Sequence, residues 1–352
     1  MRAIFCALLL SVLSVAPVVG KTQTVEGLPQ HEVVPVPDPE PGARVRNVIL
    51  MIGDGMGQEH VWAAWLCNGG KLNITGMPYT AFSCTVAANR TITDSAAGGT
   101  ALACGCKTNN GMLGQTPNGR PAESLAALFR KRGMATGLVV TKAVTDATPA
   151  AFYAHTRSRK NTAEIAEALA SAGFDVVLGG GAAAFSAQQM ERMRAKGADV
   201  ELFAPGDCAP ASQRGDLLVR NVKRALSRLE SEKNGFFLMI EGSRIDLAAH
   251  DNDLTETMRE VLDFDRALGE VLRWLKVHPD TLVVVVADHQ TGGLAILDGD
   301  RKRGRVTALF TTGGHSGVSV PVYAAGAGAS AIHGVLDNTQ LQHEILRVAT
   351  QK

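Results

Sequence analysis

The chain has 352 residues, of which 45% are hydrophobic, 20% charged and 5% aromatic. Its 35 Lys and Arg residues nearly balance its 34 Asp and Glu residues, so the formal net charge is +1. A near-neutral chain without long runs of one charge excludes a general nucleic-acid binder, which needs a dense cationic surface. The high apolar fraction excludes a disordered chain and allows one large or two ordinary domains.

The first twenty residues have the pattern of a targeting segment. Arg2 supplies a positive start, residues 3–16 are apolar apart from two serines, and small residues precede Lys21. The run is shorter than the roughly 20 apolar residues of a transmembrane helix. We therefore predict a signal peptide over 1–20 and an exported protein without a membrane span after cleavage, periplasmic in a Gram-negative bacterium and otherwise secreted. An uncleaved anchor is the alternative.

Strand and helix patterns alternate after a polar, proline-rich segment at 21–44, which predicts an extended leader. Continuous apolar runs bounded by Gly or Asp predict strands buried on both faces, at 47–52, 136–140, 175–178, 236–240 and 281–286. Helical patterns lie between them, at 122–132, 162–171 and 253–276. This order predicts an α/β fold with helices on both faces of a large, mostly parallel sheet, and no linker divides 45–352. We predict one domain.

The cysteines do not indicate a disulfide framework. Five remain after Cys6, an odd number that cannot all pair within one chain. Cys104 and Cys106 are too close in sequence to bridge each other well, and no spacing resembles a structural zinc motif. We therefore interpret several of these cysteines as small buried apolar residues.

Carboxylates and histidines follow three of the predicted strands at the point where each strand ends. Asp54 follows the first strand, Glu241 and Asp246 follow the fourth, and Asp288 and His289 follow the fifth. Ligands of open parallel sheets gather at the carboxyl ends of the strands. A single carboxylate there is often a helix cap or turn former. Three at one edge indicate a shared site.

These residues have the donor types of a zinc site. Asp246 and His250 are spaced i, i+4, so on a helical turn both project from one face. Asp288 and His289 can both reach a metal if the chain turns after its strand, and the glycines around His315 allow close approach. Mixed oxygen and nitrogen ligands fit Zn²⁺ with one open position. An isolated Asp/His pair is more often a surface hydrogen bond.

Ser95 is the candidate nucleophile. It lies in a run of small residues, TDSAAGGT at 93–100, at the predicted start of a helix. Unpaired amide groups and the positive end of the dipole there suit an anionic phosphate. A plain N-cap serine is the alternative. No Ser-His-Asp pattern activates it, whereas coordination to a metal would.

Several motifs in order resemble the alkaline phosphatase family, from about residue 47 to the region of 338. They are IGDGMG at 52–57, TDSAA at 93–97, DATP at 146–149, HTRSRK at 155–160, DVVLGGG at 175–181, EGSRID at 241–246, ADH at 287–289 and GH at 314–315. The resemblance implies a three-layer α/β/α catalytic domain over 45–352. Only 25 residues separate His289 from His315, so it implies a minimal cap insertion and leaves open whether a homodimer forms.

The resemblance also implies two Zn²⁺ ions, one Mg²⁺ ion and the roles of the site residues. Asp246, His250 and His315 would hold the first zinc. Asp54, Asp288 and His289 would hold the second, beside Ser95. Asp54, Thr148 and Glu241 would hold magnesium, with Asp146 acting through a bound water. Arg159 would clamp two phosphate oxygens.

The implied activity is hydrolysis of small phosphate monoesters of broad specificity through a phosphoserine, releasing alcohol and inorganic phosphate. The same scaffold serves phosphodiesterases and sulfatases. Arg159 and the magnesium trio favour the monoesterase. An exported metal- or phosphate-binding protein without catalysis is the alternative outside enzymes. A complete set of ligands with a nucleophile argues against it.

Overall fold

The computed structural model describes residues 20–38 and 42–351, so the predicted signal peptide lies outside the described residues except for Gly20. Within this part of the chain no helix combines the length and apolarity needed to cross a bilayer.

The strands are β1 Gln23–Val25, β2 Asn47–Gly53, β3 Tyr79–Cys84, β4 Ala135–Ala143, β5 Val176–Gly180, β6 Asp199–Leu202, β7 Phe236–Gly242, β8 Thr281–Val286, β9 Gln290–Thr291, β10 Leu294–Asp300, β11 Arg305–Phe310, β12 His315–Ser316, β13 Val320–Gly326 and β14 Gly334–Asp337. The helices are α1 Gln58–Cys67, α2 Ser95–Cys104, α3 Leu125–Arg130, α4 Ala147–Ala150, α5 Thr162–Ala172, α6 Ala187–Arg194, α7 Ala211–Arg214, α8 Leu217–Leu229, α9 Arg244–His250, α10 Leu254–Val277 and α11 Asn338–Thr350.

Nine of the strands form one sheet in the order β14-β3-β13-β8-β2-β7-β4-β5-β6. Every pair within it is parallel except those that β13 makes with β3 and β8. The predicted mostly parallel sheet is confirmed. Because β2 lies between β7 and β8, their carboxyl ends meet at one edge, with Ile52 in register with Glu241 and Val286.

Helices cover both faces of this sheet, as predicted. Phe236 and Phe237 are consecutive residues of β7, so their side chains point to opposite faces. Phe236 packs on Trp274 of α10, with ring centroids 5.9 Å apart, and Phe237 stacks on Phe129 of α3 at 5.5 Å. The middle layer is thus buried from both sides, which explains why β2, β7 and β8 are apolar without alternation.

The predicted strands and long helices are present, with differences at their ends. The helix predicted over 122–132 begins only at Leu125, because the Ser124 side chain accepts a hydrogen bond from the Ala127 amide and caps it there. Asn161 directly precedes α5, where the helical pattern at 162–171 predicts the start, but its side chain donates to Glu164 and makes no cap bond to the helix backbone. The antiparallel β13 is absent from the prediction.

The leader packs on the domain, so the folded part begins before Val45. β1 pairs antiparallel with β11, and β10 completes a small three-stranded sheet. The predicted minimal insertion is largely the β10–β11 hairpin, which lies between His289 and His315. Val25 and Leu28 are buried against the core. Leader and insertion therefore form one small layer beside the main sheet.

The five cysteines of the described residues are unpaired, and Cys67, Cys104 and Cys208 are buried. Burial raises the pKa of the Cys67 thiol to about 12 and that of Cys208 to about 11. These thiols are therefore protonated and unreactive at neutral pH. The interpretation of several cysteines as small buried apolar residues agrees with this.

Candidate metal centre and active site

The parallel sheet brings the predicted carboxylates to one edge. Asp54 follows β2 directly, Glu241 lies within the last two residues of β7, and Asp288 follows β8 after one residue. All three are fully or almost fully buried. Short turns and helices after these strands supply the histidines and Asp246, so the site is built on rigid elements.

The sequence predicts three groups of metal ligands, and the first ligand group is Asp246, His250 and His315. Asp246 and His250 lie one turn apart on α9, and His315 lies on β12. The His250 Nε2 atom is 3.0 Å from His315 Nε2 and 3.3 Å from Asp246 Oδ1, and His315 Nε2 is 3.5 Å from the same oxygen. Three donor atoms therefore surround one point.

The second ligand group is Asp54, Asp288 and His289, with Ser95 beside it. His289 Nε2 lies 3.5 Å from Asp54 Oδ1, 3.3 Å from Asp288 Oδ2 and 3.1 Å from Ser95 Oγ. Asp54 Oδ1 and Asp288 Oδ2 are buried and accept no hydrogen bond from the described residues. Buried carboxylate oxygens without a donor call for a bound cation or water.

The third ligand group is Asp54, Thr148 and Glu241. The Thr148 hydroxyl lies 3.5 Å from Asp54 Oδ2, whereas the contact with His289 is made by the other oxygen, Oδ1. Both Glu241 oxygens are buried and lack hydrogen-bond partners among the described residues. Oxygen donors alone are the set that Mg²⁺ prefers.

The spacing of the donor atoms fits bound metal. Ligand atoms placed tetrahedrally around a zinc ion at its usual bond lengths are about 3.3 Å from one another. The distances in the first two groups run from 3.0 to 3.5 Å. Asp54, Asp288 and His289 can converge on one ion, and so can Asp246, His289 and His315, a triad in which His289 stands in place of the predicted His250. The residues present therefore fit a metal centre.

The pKa shifts of the buried carboxylates also indicate a site for cations. Burial raises the pKa of Asp54 well above its ordinary value, and the charges of Asp288 and Asp246 raise it further. Burial and the Asp146 charge raise the pKa of Glu241 to about 8, and burial with the Asp246 charge raises that of Asp288 to about 6. Several buried carboxylates cannot all ionise without compensating positive charge. Divalent cations supply that charge.

His289 is held neutral, the form that binds metal. Burial lowers the pKa of its imidazole well below the ordinary value. Asp246 behaves oppositely, since burial would raise its pKa, but the neighbouring imidazoles, His315 foremost, hold it below the usual range. The centre thus contains an ionised carboxylate and a neutral imidazole without need of protonation changes.

Ser95 is the first residue of α2, and Asp94 is its N-cap. The Asp94 side chain accepts from the Ala97 amide at 3.0 Å, so the plain N-cap interpretation of Ser95 is wrong. The Ser95 hydroxyl is left to face His289. Gly98 permits this approach, because a Cβ there would lie 2.9 Å from the Asp288 carbonyl oxygen.

Arg159 is held at the rim of the site by two carboxylates. One guanidinium nitrogen donates to Asp146 Oδ1 at 3.2 Å, and another lies 3.6 Å from Asp94 Oδ2. The side chain remains partly exposed. A guanidinium fixed in this way can present its remaining N–H groups to a tetrahedral anion.

Two polar residues of the site were missed in the sequence. Lys142 places its ammonium 2.6 Å from Asp146 Oδ2, and its side chain is largely buried. Thr291 places its hydroxyl between Asp246 and His289. Neither stands in a motif, and a Lys or Thr at a strand end is too common a signal to single out.

Comparison with known proteins gives the same family as the site. The family model of alkaline phosphatase matches residues 45–201 and 199–305. Alkaline phosphatase 4 of Bacillus subtilis is 39% identical over 295 residues, which are 72% of this chain and 63% of that protein. Alkaline phosphatase 3 of the same species is 30% identical over 410 residues, covering 86% of this chain and 88% of that protein.

A solved structure agrees in fold. A mutant of TAB5 alkaline phosphatase with Mg bound in its M3 site superposes with a TM-score of 0.82 at 29% identity, covering 88% of this chain and 99% of that one. The relatives and the solved structure are named alkaline phosphatases, and the donor groups described above could hold metal ions. The chain belongs to the alkaline phosphatase family.

Proposed function

We propose that the chain is an exported phosphatase that hydrolyses phosphate monoesters of broad specificity through a phosphoserine on Ser95. The observation that carries the proposal is the position of the Ser95 hydroxyl, 3.1 Å from His289 Nε2 at the margin of two metal-ligand groups. Arg159 stands on the rim of the same site. A nucleophile, an anion clamp and metal ligands thus face one space.

The proposed metals follow the donor types of the three groups. The first and second ligand groups combine histidine with carboxylate, which suits Zn²⁺. The third group has oxygen donors only, which suits Mg²⁺. The TAB5 relative with Mg in its M3 site supports the last assignment. We accordingly assign two zinc ions and one magnesium ion to the centre.

The chain's own groups would carry out two displacements at phosphorus. When bound, the metals would favour the alkoxide form of serine, assist the leaving oxygen and neutralise the phosphoryl charge. Ser95 Oγ forms a bond to phosphorus, the ester P–O bond breaks, and the alcohol leaves. Water then attacks the phosphoserine, breaks the Oγ–P bond and releases phosphate with Ser95 restored. Arg159 orients the phosphoryl oxygens throughout.

Phosphodiester or sulfate ester hydrolysis is the second candidate. Arg159 favours the monoesterase, because a monoester has three unsubstituted oxygens, so a two-pronged clamp on two of them leaves the third for the metals, whereas a diester has only two. The third ligand group favours it too, since more positive charge suits the dianionic phosphoryl group. A diesterase would need neither the Arg159 clamp nor the third ligand group to the same degree.

The test is hydrolysis of an aryl phosphate monoester at alkaline pH. Protein stripped of metal should be inactive and should recover with zinc and magnesium, and inorganic phosphate should inhibit it. Ser95→Ala should abolish turnover while it keeps the metals and binds phosphate. Ser171→Ala, on the exposed surface of α5, is the matched control and should retain full activity.

A higher rate on a diester or a sulfate ester than on the monoester would replace the proposal with the second candidate. Absence of turnover on all three, with metal and phosphate bound, would instead indicate a binding protein. Export through residues 1–20 is tested separately, by measuring the N-terminal sequence of the protein recovered from outside the cytoplasm. An N-terminus at Lys21 is expected, and an intact Met1 would contradict cleavage.

A further inference from the structure

The three histidines of the centre are oriented through their Nδ1 atoms. His250 Nδ1 lies 2.7 Å from the Gly313 carbonyl oxygen, and His315 Nδ1 lies 2.8 Å from the carbonyl oxygen of Thr93. A carbonyl oxygen only accepts hydrogen bonds, so each of these Nδ1 atoms carries the proton. In the neutral imidazole each Nε2 atom therefore keeps its lone pair and points it at the centre, as a metal ligand must.

His289 is oriented differently, by a side chain. Its Nδ1 atom lies 3.2 Å from the hydroxyl oxygen of Thr291, a group that can either donate or accept. The backbone therefore does not decide which ring nitrogen of His289 carries the proton. Nε2 of the same ring faces Ser95, Asp54 and Asp288, so this choice decides whether a lone pair or a proton faces the second ligand group.

Asp246 determines to which neighbour the Thr291 hydroxyl donates its hydrogen bond. The hydroxyl oxygen lies 2.5 Å from Asp246 Oδ1, and an ionised carboxylate only accepts. The Thr291 hydroxyl therefore donates its single proton to Asp246. The lone pairs that remain on the oxygen accept from His289 Nδ1–H. The hydrogen bonds run in one direction, from His289 through Thr291 to Asp246.

We propose that Thr291 is a positioning residue that holds His289 as the Nδ1–H tautomer and joins the first ligand group to the second. The inference rests on the proposed function only in taking these groups as metal ligands. The buried Thr291 hydroxyl keeps the lone pair of His289 on Nε2 and at the same time holds Asp246 in position. Removal of that hydroxyl therefore weakens both sites together.

The surroundings of Thr291 prevent its hydroxyl from turning elsewhere. Thr291 is fully buried, its amide donates to the Gly55 carbonyl at 3.0 Å, and it pairs with His315 across β9 and β12. Gly55 has a φ of +72°, and a Cβ at that position would lie 2.6 Å from the Thr291 hydroxyl oxygen. Glycine at 55 thus leaves room for the hydroxyl, and the backbone on both sides fixes its position.

Three variants of the full-length protein test the proposal. Thr291→Val removes the hydroxyl with little change of shape, and Thr291→Ser retains it. Thr311→Val is the matched control, because among the described residues the exposed Thr311 hydroxyl donates only to the Gly293 carbonyl, at 2.9 Å. Zinc affinity is measured by competition with a chelator for both zinc equivalents. Long-range ¹H–¹⁵N spectra of metal-free protein labelled at histidine report the tautomers, with the His289 signals identified by their loss in His289→Gln.

Thr291→Val should weaken zinc binding by about 10- to 100-fold in both equivalents, the usual effect of losing a group that orients a metal ligand. Its His289 signal should move from the Nδ1–H pattern toward the Nε2–H pattern. Thr291→Ser and Thr311→Val should match the unmodified protein in both measurements. Unchanged zinc affinity in Thr291→Val, an effect confined to one equivalent, or an Nε2–H pattern in the unmodified protein would overturn the proposal. None of these readouts requires turnover, so an inactive protein would count against the proposed function alone.

Discussion

Arg159 donates a hydrogen bond at 3.2 Å to one oxygen of Asp146, whose other oxygen lies 2.6 Å from the Lys142 ammonium. A single carboxylate is thus shared by two cations. Burial alone would raise the pKa of Asp146, but the charges of Lys142 and Arg159 hold it below its ordinary value. Because Lys142 neutralises much of the carboxylate, Arg159 retains positive charge for an anionic substrate.

Arg159→Ala should weaken inhibition by inorganic phosphate by roughly 10- to 100-fold, the value of one or two charge-assisted hydrogen bonds. Zinc content should stay unchanged, because Arg159 contacts Asp146 and Asp94 and no member of the ligand groups. Arg159→Lys should recover only part of the affinity, since an ammonium cannot bond two oxygens in a plane. Loss of zinc in Arg159→Ala would refute the assigned role.

Lys142→Met should also weaken phosphate inhibition, by less than Arg159→Ala does. Without the ammonium, the Asp146 carboxylate interacts more strongly with Arg159 and offsets its charge. The inhibition constant for phosphate is the measurement. Lys160→Met, which removes an exposed lysine next to Arg159 in sequence, should leave that constant unchanged. An equal effect of both lysine substitutions would reduce the role of Lys142 to general surface charge.

His250→Ala and Asp288→Ala should each lower metal content and the thermal unfolding temperature together. Each removes a donor atom that lies 3.0 to 3.3 Å from another ligand atom of its group. Metal that binds only the folded chain adds its binding free energy to stability. Elemental analysis and thermal denaturation of the same samples provide the check. His333→Ala, at an exposed histidine, is the control, and full metal content in His250→Ala would remove it from the ligand set.

Metal-free protein should become less stable as the pH rises from about 4.5 to about 8. In this interval folded Glu241 keeps its proton because burial raises its pKa to about 8, whereas the unfolded side chain loses it near 4.5. The folded state then binds more protons, so the free energy of unfolding falls by about 1.4 kcal/mol per pH unit for one such group.

Glu241→Gln separates this contribution from those of other groups. The stability of metal-free Glu241→Gln relative to the unmodified protein should rise steadily between those pH values, as measured by urea unfolding. Addition of zinc and magnesium should abolish the trend in the unmodified protein, since the cations then compensate the ionised carboxylate. A constant difference between the two proteins across this range would mean that Glu241 is ionised throughout.

Gln23→Met should destabilise the fold by about 1 to 3 kcal/mol, because it removes two hydrogen bonds that lie far apart in sequence. The Gln23 amide donates to the Asn252 carbonyl at 2.6 Å and accepts from the Leu254 amide at 3.1 Å. Both partners follow closely after His250. Denaturant unfolding is the measurement, and Thr24→Val, at the next and more exposed position, should change stability less.

The sequence predicts that the carboxylates of the site lie close together, because the parallel strands that carry them end at the same edge of the sheet. Asp54, Glu241 and Asp288 each stand at the end of an apolar run, and that pattern alone brings them together. Thr291 and Lys142 could not be found in this way. The role of Thr291 depends on its hydrogen bond to Asp246, which is 45 residues away in sequence. The role of Lys142 depends on its buried ion pair with Asp146.

Other structural features escaped prediction for local reasons. β13 contains Pro321, a residue that argues against a central strand, and its neighbours are small. The leader residues 21–38 are rich in proline, and only tertiary pairing with β11 makes three of them a strand. Such pairing has no signal within a short window of sequence.

The small sheet pairs β1, near the start of the described chain, with β11, which lies far along the sequence. Thr24 of β1 bonds Thr307 of β11 across 283 residues of sequence, so this layer cannot form until nearly the whole polypeptide is present. Closing so long a loop costs entropy that only late contacts repay, which makes the β1–β11 pairing one of the last steps of folding. Until then the outer edge of the β10–β11 hairpin is open to pairing with other chains. Deletion of the chain through β1 would leave that edge open permanently, and we expect aggregation to appear before any loss of catalysis.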